Sequence, residues 1–246
     1  MEERNIDGLT EKEFLEQYKP GNYDRPSVTA DAVVFKLENK TQTLKLLLIK
    51  RKNHPYINKW TLPGGFVGIT EDIDEAVLRE LKEETSVENV YMEQLKTYGK
   101  PNRDPRMRVI SVAYFVLINA DVNTKAGDDA SEAKWFDVNW NNEKIEIKDG
   151  NTIIKNSEIA FDHIQIIYDA LIRIRNKVEY TDIVFSLMPK EFTLPELQKV
   201  YEKLLGKTVY KTNFRNKMKA KLKDTGKIKS DGAHRPSKIY TVKETI

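Results

Sequence analysis

The sequence predicts an α/β sandwich followed by a small, basic, mostly helical module. Three observations carry this. Runs of β-forming residues alternate with amphipathic helical patterns up to about residue 178, the order of elements that builds a layered α/β domain. At 246 residues the chain is about 1.6 times a ~150-residue domain, room for one full domain and one small one. From Thr181 onward, fifteen Lys or Arg stand against seven Asp or Glu, a balance of +8 in a chain of +3, so residues 1 to 180 carry −5. Charge segregated in this way marks an appendage that meets a polyanion.

The elements follow in order. Thr10 to Glu13 has the capping-box pattern of a short helix that stops before Pro20-Gly21. Ser27 to Leu37 and Leu44 to Lys50 are β-rich runs across a polar segment, a plausible hairpin. Pro63-Gly64-Gly65 forces a bend within Trp60 to Val67. Asp72 to Thr85 carries Val77, Leu78 and Leu81 at helical spacing. Further strands are expected at Val90 to Tyr98, Val109 to Ile118 and Ala133 to Val138. Asp162 is placed to cap a helix running through Ile164, Ile167, Leu171 and Ile174. The domain boundary is expected around Lys177 to Asp182, dividing the chain into 1–178 and 179–246.

Composition removes whole classes of chemistry. With no Cys, disulfides, thiol catalysis and zinc fingers are excluded. Three His, at 54, 163 and 234, are too scattered for a His-based metal site. The longest apolar stretch, Val109 to Ile118, has ten residues, whereas a spanning helix needs roughly 20. Acids occupy the place of a signal peptide's apolar region. The expectation is a cytoplasmic protein with no membrane partner.

Glu80, Glu83 and Glu84 stand at i, i+3 and i+4, three carboxylates on one helical face. Like charges so placed repel, and a divalent cation reverses that cost. Hard oxygen ligands suit Mg2+ or Mn2+, which retain waters and bind phosphate oxygens. A bare ExxEE is more often a solvated acidic face. Here Gly65, five residues, Glu71, seven residues, then Arg79-Glu80-Leu81-Lys82-Glu83-Glu84 resembles the Nudix box, GX5EX7REUXEEXGU with U aliphatic. Trp60 to Phe66 is similar to the family's lead-in. One position departs: Ser86 stands where the family has its final Gly, in the turn after the helix. The resemblance implies a Nudix α/β/α sandwich in which Gly65, Glu80, Glu83 and Glu84 hold the metal. It also implies that Arg79 orders the carboxylates and Glu71 stiffens the join of loop and helix. The implied reaction is attack by metal-activated water on a nucleoside diphosphate linked to another group. The general base is left open; Asp128, Asp129 and Glu132 are weak candidates.

Asn102-Arg103-Asp104-Pro105-Arg106-Met107-Arg108 places three Arg around a turn entering a strand, suited to phosphate and ribose. The segment resembles the RDPR stretch of Nudix proteins that act on or sense ADP-ribose. The flanking Tyr23-Asp24-Arg25-Pro26, Arg51-Lys52-Asn53-His54-Pro55 and Ala160-Phe161-Asp162-His163 fit the same subgroup. Arg51, Arg103, Asp104, Arg106 and Arg108 are therefore the expected substrate-binding residues. His54 reads as a loop residue, and His163 as a partly buried His after a helix cap.

In the tail, Thr193-Leu-Pro-Glu196 is a second capping box, opening a helix with Leu197, Val200, Tyr201 and Leu204 inward and Gly206 at its end. Thr212 is the expected cap of a second helix, with a core stripe of Phe214, Met218 and Leu222. A hairpin turning at Asp231-Gly232 follows. Helix, turn, basic helix and hairpin is the layout of a winged helix-turn-helix. The expected DNA contacts are Lys211, Asn213, Arg215, Asn216 and Lys219, with His234 and Arg235 of the wing. The tail is similar to the C-terminal domain of NrtR-type Nudix-related transcriptional regulators. That resemblance implies a homodimer that binds a double-stranded DNA operator and releases it on binding ADP-ribose. Retained acids imply that hydrolysis to AMP and ribose 5-phosphate persists. Two alternatives stay open: an ADP-ribose pyrophosphatase with an accessory basic domain, and a regulator whose pocket takes a sugar.

Overall fold

The computed structural model describes residues 3–19, 21, 24–38, 43–85, 90–118, 130–141, 144–230 and 236–243, with the backbone alone at 84–85, 130–131 and 141. Tyr23, Ser86, Asp128, Asp129, the Asp231-Gly232 turn, His234, Arg235 and the side chain of Glu84 lie outside the described residues.

Helix α1 (Glu11–Gln17) opens with the expected reciprocal cap: Glu13 N donates to Thr10 Oγ1 (3.3 Å) and Thr10 N to Glu13 Oε2 (2.8 Å). The strands β1 (Ser27–Leu37) and β2 (Leu44–Arg51) pair antiparallel with Phe35 opposite Leu46. Two short strands turn back on them, β3 (Trp60–Thr61) on β2 and β4 (Gly64–Phe66) on β1. After α2 (Ile73–Thr85) come β5 (Tyr91–Tyr98) and β6 (Val109–Ile118). The last of these runs parallel to β1, Ser27 opposite Val109 through Lys36 opposite Ile118. The sheet is completed by β7 (Ala130–Asn141), β8 (Lys144–Asp149) and β9 (Thr152–Ile153), in the order β5-β6-β1-β2-β7-β8-β9.

Helices cover both faces, which is why β1 and β6 are mostly apolar rather than alternating. Successive side chains point to opposite faces. Val33, Phe35, Phe115 and Leu117 therefore meet Ile166, Ile167 and Leu171 of α3 (His163–Val178). Ala32, Val34, Val112 and Val116 meet Ala76, Val77 and Leu81 of α2. Each large aliphatic so buried contributes roughly 1.5–3 kcal/mol.

The hairpin β8-β9 had no counterpart among the expected strands. It lies at the sheet's edge, and its Lys-Ile-Glu-Ile-Lys-Asp sequence is rich in residues that disfavour strands. Asp162 precedes α3, but its carboxylate makes no cap bond and is engaged by Arg103 instead.

The C-terminal unit starts at β10 (Phe192–Thr193), continues through α4 (Leu194–Leu205) and α5 (Lys211–Lys219), and closes with β11 (Leu222–Lys229) and β12 (Ser237–Val242). Thr193 and Glu196 make the capping box, and Gly206 ends α4 at φ 73°, a left-handed conformation that suits Gly. The cap of α5 is Tyr210, not Thr212, and α5 stops at Lys219, so Leu222 belongs to the wing strand. Packing of Phe214 on Tyr201, with ring centroids 5.3 Å apart, sets the first turn of α5 and outweighs a cap bond of ~1 kcal/mol. The wing strands β11 and β12 pair antiparallel around an irregularity at Gly226 (φ 76°), and β10 pairs with β12. One continuous apolar core runs from β1 and β6 through α3 into α4, α5 and Leu222.

Candidate functional site

The bend at Pro63 seats two glycines against β1. Pro63 O accepts Ala32 N at 2.8 Å, and Gly64 lies at φ 152°, where a Cβ would overlap the backbone of Ala30 and Asp31. A Cβ on Gly65 would overlap the Glu80 carboxylate. At Gly64 the positive φ and the backbone contact require glycine, and at Gly65 a side chain would displace the Glu80 carboxylate.

Arg79 organises the carboxylates. Its Nε and Nη2 donate to the two oxygens of Glu71 (2.6 and 3.0 Å), and its Nη1 donates to Glu80 (2.7 Å) and Glu83 (3.2 Å). Glu71 also accepts from Gly68 N at 2.9 Å, tying the loop to α2. Arg79 first, then that backbone bond, hold the Glu71 carboxyl down at about 2. Burial pushes the Glu80 carboxyl above its ordinary range, with Arg79 opposing. Glu80 faces the cavity, while Glu83 lies at the exposed end of the set. Among the described residues, no three His, Cys, Asp or Glu converge on one point.

Beside Glu80 opens a cavity of about 350 Å³. Of the expected ligand residues, Arg51, Arg103, Asp104 and Arg106 line it; Arg108 does not and is exposed. The loop is self-braced: Asp104 accepts the Arg106 amide (2.9 Å) and its guanidinium (3.0 and 2.7 Å). Burial raises the Asp104 carboxyl, but these Arg106 bonds outweigh it and the net direction is down. Exposed His54 reaches the rim, and Glu132 does not line the cavity.

Two residues of the floor, Asp31 and His163, were not among the expected site residues. Asp31 accepts a short hydrogen bond from Ser111 Oγ and lies 3.9 Å from Arg103 Nη2. Arg103 also makes a two-bond pair with Asp162 (2.6 and 3.0 Å). His163 Nδ1 accepts Leu62 N at 3.0 Å and contacts Thr61 Oγ1 at 2.9 Å. At 4% exposure His163 is buried outright rather than partly, and Asp31 (6%) and Arg103 (8%) are buried with it. Asp31 had one sequence signal, a carboxylate in the middle of a mostly apolar strand that is covered on both faces.

The pH response of this floor follows. Burial lowers the His163 pKa, with Asp31 and Asp162 raising it and Arg103 and Arg51 lowering it. The folded state then takes up the proton later than the unfolded chain. Stability from neutral His163 is complete above the unfolded value of ~6.5 and is lost as pH falls below it, by up to ~1.4 kcal/mol per pH unit. Thermal melts from pH 8 to pH 5 are expected to show this slope, and His163→Gln to flatten it. An unchanged slope in that variant contradicts the assignment.

In the C-terminal unit, α5 and the wing enclose a groove. Lys211, Arg215, Asn216 and Lys219 line one wall, with Lys238 and Tyr240 on the other. Asn213 is exposed outside it. Other lysines turn towards the end of α3: Lys217 donates to Glu179 O (2.5 Å) and Tyr201 Oη (2.8 Å), Lys207 pairs with Glu179 (3.1 Å), and Lys221 with Asp182. The basic tail thus divides its lysines: some face the groove, some hold the unit to its linker, and Lys227 and Lys229 pair within the tail with Glu191 and Glu196.

Comparison with known proteins matches a NUDIX domain over residues 27–155 and an NrtR DNA-binding winged helix domain over residues 184–242. The ADPR responsive transcriptional repressor NtrR of Acinetobacter baylyi is 33% identical over 235 residues, covering 94% of this chain and 88% of that protein. The chain belongs to the NrtR-type Nudix family. The crystal structure of Shewanella oneidensis NrtR complexed with a 27mer DNA matches with a TM-score of 0.71 and 35% identity, over 88% of this chain and 93% of that one. The ADP-ribose pyrophosphatase of Methanocaldococcus jannaschii is 40% identical over 65% of this chain and 81% of its own length. The fold is a Nudix α/β sandwich followed by a winged helix, as the sequence predicts. Among the described residues no helix is long and apolar enough to cross a membrane.

Nudix hydrolases generally use divalent metal ions. The residues here fit such an ion. The donors are hard carboxylate oxygens, Glu80 is partly desolvated with Arg79 its main opposing charge, and Gly65 leaves open space where a side chain would press on Glu80.

Proposed function

We propose that this NrtR-type chain is an ADP-ribose-responsive transcriptional regulator that binds operator DNA as a homodimer. The ligand enters the cavity between the Gly64-Gly65 bend and the Arg103 to Arg106 loop. One observation carries the reading: a phosphate-suited cavity adjoins the head of α3, and α5, which lines the basic groove, is tied just beyond its tail. Arg103 holds Asp162 at the head of α3, and Glu179 and Asp182 beyond its tail hold Lys207, Lys217 and Lys221. The sixteen residues of α3 span about 24 Å as a rod. A diphosphate that draws on Arg103 changes the grip on Asp162, and differential affinity for the two arrangements drives release of DNA. We place the domain division at 178/179, just ahead of these ion pairs.

We also assign Mg2+ or Mn2+ to Glu80, Glu83, Glu84 and Gly65, and with it a retained hydrolysis. When bound, the metal lowers the pKa of water and polarises the diphosphate. The chain's own part is to position. Arg79 keeps Glu80 and Glu83 aligned, Glu71 fixes the loop, and Arg51 and Arg106 neutralise phosphate oxygens. Water adds to one phosphorus, the bridging P–O bond breaks, and AMP and ribose 5-phosphate leave. The guanidinium groups favour this diphosphate reading over a neutral sugar.

Purified protein with Mg2+ and ADP-ribose tests both statements together. DNA selected from a random pool is expected to be released on adding ADP-ribose. AMP release is expected to fall by about 10²-fold or more in Glu80→Gln and Glu83→Gln. AMP release without ligand-sensitive DNA binding leaves the pyrophosphatase reading; DNA release by a pentose phosphate and not by ADP-ribose leaves the sugar reading.

A further inference from the structure

The wing carries an apolar side chain that takes no part in the core. Ile228 of β11 is 65% exposed and stands between two lysines. One exposed apolar residue is ordinary on a protein surface, but the register of this one is informative. Successive side chains of a strand point to opposite faces. Lys227 pairs with Glu191 (2.6 Å) and Lys229 with Glu196 (2.7 Å), so both lysines turn towards Glu191 and the first turn of α4. Ile228 therefore points the other way.

The two faces of the wing are fixed independently. Directly across the ladder from Ile228 stands Lys238, and cross-strand partners share a face. Lys238 and Tyr240 form the wing's wall of the basic groove. On the other face, Lys229 and Ile239 line a separate cavity with Met188 and Phe192. Ile228 thus continues the groove wall, about 7 Å beyond Tyr240 along the wing, two residues at ~3.4 Å each. The charge of this wall is neutralised within the wing, because Lys238 Nζ donates to Asp224 at 2.7 Å. The α5 wall therefore offers cations to DNA, and the wing wall offers an ion pair and an apolar side chain.

We infer that Ile228 is a specificity-determining residue of the DNA interface, a wedge against one base step of the minor groove beside the major-groove site of α5. It selects operators that carry a flexible pyrimidine–purine step there. An isoleucine side chain can bond neither a phosphate nor a base edge. With α5 in the major groove, the apolar surface left to the wing is that of the stacked bases in the adjoining minor groove, exposed when a step opens. TA and CA/TG steps open at the least cost. A β-branched side chain is stiff at χ1 and loses little entropy on insertion. The inference rests on the operator-binding reading above and adds a base step that the recognition helix does not touch.

The test selects DNA from a random pool with the full-length wild type, Ile228→Ala, Ile228→Thr and Ile228→Leu, then places 2-aminopurine at the selected step. The wild type is expected to enrich a pyrimidine–purine step flanking the sequence read by α5, and the 2-aminopurine to brighten as that step unstacks. Ile228→Ala and Ile228→Thr are expected to lose both signals and to bind the wild-type operator about fivefold or more weakly. Their salt slope is expected to stay at the wild-type value, since no cation is removed. Ile228→Leu is expected to keep the enrichment and the brightening. Either signal at wild-type strength in Ile228→Ala overturns the inference. So does an Ile228→Thr protein that matches the wild type, which marks a role in strand propensity alone, and so does a loss in Ile228→Ala that is equal for all sequences. A wild-type operator without a flexible step overturns it as well. If the wild type enriches no sequence at all, the operator-binding reading itself fails, an outcome distinct from the insensitivity of one variant.

Discussion

Arg103→Ala is expected to lower the stability of the chain by about 3 kcal/mol, the largest effect of any single cavity substitution. Its side chain is buried and pairs with Asp162, while the buried carboxylate of Asp31 lies within 4 Å of it. Removing the guanidinium strips the buried Asp31 and the half-buried Asp162 of their shared cation, with Ser111 and neutral His163 still beside Asp31. The cost of stranding a buried charge exceeds what the pair contributes over a well-packed apolar alternative. For a chain of this length the melting temperature is expected to fall by roughly 6–12 °C. Arg103→Lys keeps the charge without the two-bond geometry, and an intermediate loss is expected. Asp162→Asn separates stability from coupling. It retains a hydrogen-bond acceptor for Arg103, so its melting temperature is expected to change less, while ADP-ribose no longer releases DNA. A melt of Arg103→Ala within two degrees of wild type, or an Asp162→Asn protein that still responds fully, contradicts the account of α3 as the connection.

Much of this was legible because local and global signals agree. The box from Gly65 to Glu84 is a fixed spacing of chemically distinctive residues, and the capping boxes at Thr10 and Thr193 are closed within four residues. Both faces of β1 and β6 are buried, which leaves mostly apolar runs in the sequence. What was not legible depends on partners far apart in the chain. Asp162 has the sequence position of a helix cap, yet a charged partner 59 residues away offers it two bonds where a cap offers one. His163 becomes a buried acceptor because β3 delivers Thr61 and Leu62 to it across about a hundred residues. Thr212 has the residue type of a cap, but the packing of Phe214 starts the helix earlier. The basic tail shows the same limit: composition counts Lys207, Lys217 and Lys221 with the rest, and only the fold turns them towards the linker.

That division of the lysines sets the second large effect. Arg215→Ala is expected to cost about 1–3 kcal/mol of affinity for a selected operator, roughly 5- to 150-fold, and to relax its sequence preference. Arg215 lines the groove beside Asn216 and opposite Tyr240, with its guanidinium geometry suited to a base edge. Lys219→Ala, on the same wall, is expected to weaken binding uniformly across sequences and to reduce the slope of log affinity against log salt by about one. Lys217→Ala is the discriminating control. Its ammonium is committed to Glu179 O and Tyr201 Oη, so the salt slope is expected to stay at the wild-type value while the melting temperature falls. Charge alone predicts the same slope change for Lys217 and Lys219, since both are single cations on one nine-residue helix. Equal slopes in these two variants therefore contradict the geometry of the groove, and a difference of about one phosphate contact between them supports it.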